Sequence, residues 1–200
     1  MALLFANNNS LSAITTKPSG LSGGAMNLIS TQTASSSSTI SFTSGIDSTY
    51  DEYVFKFYNI HPATDGANFT FQADTGTNTS YNQTMTTTYF RAAHGEDGSG
   101  ASLSYDGGRD QAQGTGFQEV ISGIGNDNDG NGNGTLHIFS PSSSTFVKHF
   151  IIRSCTSYTD SIARDMYIAG YFNTTTALTR VQFKMSSGTF DGVIKLYGIS

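Results

Sequence analysis

Hydrophobic and polar positions alternate with a period of two along most of the chain, and the clearest stretch is Tyr53-Val54-Phe55-Lys56-Phe57-Tyr58-Asn59-Ile60. Tyr53, Phe55 and Phe57 fall on one face, with Val54, Lys56, Tyr58 and Ile60 on the other. Alternation of aromatic and β-branched residues marks a half-buried strand. Pro62 closes it, because proline has no ladder donor and restricts its predecessor. The same period predicts strands over 26–30, 39–43, 68–73, 84–92, 117–121, 136–139, 145–152, 166–172, 178–185 and 192–197, with a short one around Leu103 and Tyr105. Ser35 to Ser38 reads as a turn.

An aromatic face as heavy as that of 53–60 needs an opposing apolar layer. Many short strands, frequent turn signals and no helical period therefore predict an all-β, antiparallel β-sandwich of jelly-roll type over residues 26–200. Asp65-Gly66 predicts a hairpin over 53–73. The polar tract 125–134 predicts a second hairpin, between 117–121 and 136–139. Residues 1–25 lack sustained periodicity and read as an N-terminal arm with scattered apolar anchors.

Composition sharpens the fold class. Charged residues are only 12% of the 200, against about 25% in ordinary domains. Ser, Thr, Asn and Gly replace them, which suits strands and turns better than solvated helices. The net charge of −5 and the absence of a basic cluster argue against nucleic-acid binding. No apolar run is long enough to cross a membrane as a helix. Met1–Phe5 has neither the basic start nor the apolar centre of a secretory signal. Cys155 is the only cysteine, excludes an internal disulfide, and reads as a buried structural thiol within the apolar run from Phe150.

Candidate chemistry is sparse. Asp127, Asp129 and Asn131, with Gly130 and Gly132, resemble the opening of a calcium loop, in which hard oxygens converge on one cation. Ile138 then stands where a bidentate glutamate is required, so a plain loop is the stronger reading. His61, His94, His137 and His149 have no metal-ligand spacing. His94, Glu96 and Asp97 form an acid/base cluster on a loop, and Asp106 and Asp110 are the carboxylates a glycosidase would need. No nucleophile elbow or phosphate loop accompanies them, so no enzymatic activity and no cofactor are expected. Tyr81, Tyr89, Tyr105 and Tyr158 near loops are the candidates for sugar stacking, without a tryptophan to help.

One resemblance spans nearly everything after residue 26. The segments Leu28–Ser38, Ile40–Tyr53, Asn59–Asp65, Phe139–Phe150, Gly170–Thr175 and Leu196–Ile199 resemble a recurrent family of virion proteins from marine and cyanobacterial bacteriophages. The resemblance implies a non-enzymatic virion structural protein, assembled in the host cytoplasm in several copies, with three-fold symmetry expected. It carries no catalytic residues. A compact domain without heptads or a collagen-like repeat favours a capsid decoration (cement) protein, held against the major capsid protein. The alternative is a tail-fibre or tail-tip component binding a host glycan through the loops at 94–116 and 125–134.

Overall fold

The computed structural model describes residues 25–159 and 161–200; the arm assigned to residues 1–25 lies, Ala25 excepted, outside them. The strands are β1 (Met26–Ser37), β2 (Thr39–Phe42), β3 (Glu52–Pro62), β4 (Ala67–Thr75), β5 (Met85–Gly95), β6 (Ser102–Tyr105), β7 (Gln118–Ile124), β8 (Gly132–Phe139), β9 (Lys148–Tyr158), β10 (Ile162–Phe172), β11 (Leu178–Met185) and β12 (Phe190–Ile199). All pairings are antiparallel, and they nest. β1 pairs with β12, β2 with β11, β3 with β8 and β4 with β7, as in a long hairpin rolled on itself. Lateral pairs β12–β3 and β11–β4 then complete the orders β1-β12-β3-β8 and β2-β11-β4-β7. That is jelly-roll connectivity, as the alternation predicted.

Two insertions enlarge the first sheet. β9 and β10 follow β8, while β5 and β6 follow β4, and together they extend the order to β8-β9-β10-β5-β6. The extension curls over the free edge of β7. A single bridge, Ile124 to Tyr158, and a hydrogen bond of 2.7 Å from the Thr87 hydroxyl to Gln118 Oε1 fasten it there.

The core between the sheets is aromatic. Phe183 of β11 meets Phe42, Phe55, Phe57, Phe69 and Phe71, with ring centroids 5.2 to 6.3 Å apart. Edge-to-face and offset contacts of this kind add to simple area burial. Phe71 also reaches Phe150 and Phe172, tying β4 to the extension.

Four expectations need correction. The Asp65-Gly66 turn exists, with Gly66 at φ +69°, but β3 and β4 are not paired. The turn carries the chain from one sheet to the other. Likewise β7 and β8 are not paired: β9 stands between them, where the two sheets join in one rolled, nearly closed sheet of twelve strands, and 125–134 is a crossover, not a hairpin tip. Ser35 to Ser37 belong to β1, where a bulge places Ser36 at φ +47° and its N–H on Asp191 Oδ1. Finally, Ile60 is buried on the side of Phe57. A bulge at Tyr58-Asn59, with Asn59 at φ +50°, inserts one residue and reverses the parity after it.

Candidate docking face

The outer face of the large sheet carries a continuous row of side chains. Register aligns Tyr105 of β6, Phe90 of β5, Tyr167 of β10, Arg153 of β9, Thr135 of β8, Lys56 of β3 and Lys195 of β12. From Phe90 to Lys195 each is the neighbour of a buried inward residue, so strand alternation turns it outward, and Tyr105 joins them by its register with Phe90 on the fully exposed β6. The row divides into an aromatic half and a cationic half.

The centre of the row is rigid. Phe90 and Tyr167 stack with centroids 4.9 Å apart and an interplanar angle of 1°, and the Arg153 guanidinium lies 5.0 Å from the other side of Tyr167. Asp165 locks this arrangement. It accepts from Arg153 Nη2 at 2.9 Å and from the Tyr167 hydroxyl at 3.0 Å. Those bonds raise the pKa of both Arg153 and Tyr167 above their ordinary values. The groups are exposed, so the ion pair itself adds little stability and acts mainly to orient. Phe90, Leu103, Tyr105 and Ile151 are exposed by 40 to 74% and all lie on this face. The stack separates two shallow grooves, one floored by Ala92, Ala163 and Asn133, the other by Ile151, His137 and Ala169.

Cys155 stands in the first groove. It is exposed, not buried as its apolar neighbourhood suggested. Along β9, Phe150, Ile152 and Ser154 point inward, so His149, Ile151, Arg153 and Cys155 point out.

The residues singled out for chemistry go elsewhere. Asp127 and Asp129 line a polar recess with Glu96. The Asn131 side-chain oxygen, however, accepts from Asn133 at 2.6 Å, and the Asp127 carbonyl accepts from the Gly130 N–H at 2.8 Å. His61 Nδ1 meets the Gly130 carbonyl, so this crossover is tied to β3. Among the described residues no group of three His, Cys, Asp or Glu side chains stands close enough to hold a metal ion. In the 94–97 cluster, Asp97 is a turn acceptor: bonds from Ser99 lower its pKa. Asp106 pairs with Arg91 and Arg109, and Asp110 takes the Tyr105 hydroxyl.

The tyrosines also separate. Tyr81 and Tyr89 are buried, Tyr158 is covered by Arg164, and Tyr105 is open. No family model matches the sequence, and no curated protein does.

Residues 106–116, part of the 94–116 stretch expected as surface loops, are packed down. Met85 and Gly114 exchange backbone hydrogen bonds, and Gln72 Nε2 donates to the carbonyls of Gln83, Thr115 and Gly116. The loop therefore covers the outer face of β4 around Gln72, whereas the outer face of the large sheet stays open. Period-two reading predicted the strands but not this face, because Phe90 and Tyr105 carried no sign of which side of which sheet they would join.

Proposed function

We propose that the chain is a non-enzymatic virion structural protein of the decoration type, which grips a capsid protein with the outer face of its large sheet. The observation that carries this reading is the locked row Tyr105–Phe90–Tyr167–Arg153, with exposed Leu103 and Ile151 beside it. Exposed aromatics and arginine held in fixed rotamers are what binding hot spots consist of. The cationic half of the row, on a chain of net charge −5, calls for a partner that presents an apolar strip flanked by carboxylates. The sequence resemblance to phage virion proteins supports the same assignment.

Tyr167 at the centre of the row offers a sugar no free ring face, being enclosed by Phe90 and Arg153, and of the tyrosines expected to stack on a sugar Tyr105 is the one left open. This favours a protein partner over the glycan-binding tail component. The test is the particle of the virus that encodes the chain. Mass spectrometry should find the protein in purified virions, and a particle map should show it on the head with β5, β9 and β10 against the capsid. A Phe90→Ser, Tyr105→Ser variant should melt near the wild-type temperature yet be lost from particles. Copies at the tail tip would replace decoration by the tail reading, and absence from particles would overturn both.

A further inference from the structure

Among the described residues, the buried side-chain nitrogens and oxygens that have no hydrogen-bond partner are Tyr89 Oη, Arg91 Nη1, Ser122 Oγ, and Nε and Nη1 of Arg164. They are not scattered. Tyr89 and Arg91 are successive inward residues of β5, and Arg164 stands inward on β10 opposite Ala93, one step further along the same face. Ser122, on β7, adjoins the Tyr89 hydroxyl. All five atoms thus gather where the curled extension closes over β7.

Every one of these atoms can donate, and the guanidinium nitrogens can do nothing else. The charge around them is unbalanced. Arg91 and Arg109 share Asp106, and Arg109 also pairs with Glu119. With Arg164, three guanidinium groups face two carboxylates. Burial is the largest influence on Arg164 and lowers its pKa; the fields of Arg91 and Arg109 act in the same direction, and the Tyr158 hydroxyl acts against them. The Arg164 guanidinium lies 3.2 Å from the Tyr158 ring centroid, so one of its faces is covered and its N–H bonds must be met in its own plane. A water molecule there could donate only to the Tyr89 and Ser122 hydroxyls, and being neutral it would leave the third guanidinium unbalanced.

We propose that this cluster binds one small monovalent anion, chloride or a halide of similar size, held by Arg91, Arg164, Tyr89 and Ser122. One negative charge balances the cluster, and a spherical acceptor meets converging donors from β5, β7 and β10 at once. The anion then fastens the extension that carries the docking row, although the site stands whether or not that face docks on a capsid.

The test uses the purified full-length chain in sodium gluconate, titrated with sodium chloride or bromide at constant sodium concentration. The melting temperature should rise along a saturating curve, as expected for a ligand of the native state. Tyr89→Phe should weaken the halide response about tenfold, the loss of one hydrogen bond to a charged group. Arg164→Gln should abolish it; if that variant does not fold, Tyr89→Phe still decides. Crystals grown in bromide should show an anomalous peak between Arg164 and Tyr89. A melting temperature indifferent to halide, or a rise that never saturates, together with no anomalous peak at this place, would overturn the proposal.

Discussion

At the scale of single residues, Lys148 is the most unusual position. It is fully buried at the start of β9, and among the described residues its Nζ donates only to the carbonyls of Phe146 and Thr174, at 2.9 and 3.2 Å. Desolvation lowers its pKa from the ordinary 10.5. The unfolded chain then binds more protons than the folded one between the lowered value and 10.5, so stability rises with pH across that window. Wild type should therefore gain stability relative to Lys148→Met between about pH 7 and about pH 10 in urea titrations. A constant or falling difference would sink this account. Neither Lys148 nor Cys155 was legible from its neighbours' hydrophobicity. Strict parity along β9 places the lysine inside and the thiol outside, and the apolar run Phe150-Ile151-Ile152 disguised that parity, since Ile151 is itself 48% exposed.

Elements were readable where alternation was unbroken and misread where a bulge or a partner intervened. The strand at 178–185 has the bounds its pattern suggested, whereas the face of Ile60 did not follow its pattern, because nothing in Tyr58-Asn59 announces an inserted residue. That bulge is testable. Asn59 takes φ +50°, and its N–H donates to Asn133 Oδ1 at 2.9 Å. Asn59→Gly should alter stability by no more than about 1 kcal/mol, since glycine accepts this conformation at small entropic cost. Deleting Asn59 removes the extra residue and leaves Ile60 facing the core by plain alternation, so its cost should stay well below the ~3 kcal/mol of exposing that side chain. A deletion variant destabilised by ~3 kcal/mol or more, with Ile60 exposed, would show that the bulge does not set the register. The two hairpins misled for a related reason. Asp65-Gly66 specifies a turn, but whether the flanking strands pair depends on partners that lie about 50 to 150 residues away.

Over the whole molecule, the nested pairing leaves each late strand holding an early one. β12 lies between β1 and β3 and contributes Phe190, Ile194 and Leu196 to the core. Removing Phe190–Ile199 should abolish cooperative unfolding by circular dichroism, because both neighbours lose their ladder and the aromatic core opens. A truncated chain with a sharp thermal transition would contradict this dependence. The fold class was legible because composition and period agree on it. The docking row was not, since its members come from seven strands whose order only the rolled topology decides. One consequence reaches the laboratory directly. The sole thiol sits beside the Arg153–Asp165 pair on the surface assigned to contact, so the natural sequence already carries a reporter. A maleimide dye should react readily with the isolated protein and poorly with the assembled one, and the labelling rate then counts vacant copies without any engineered cysteine.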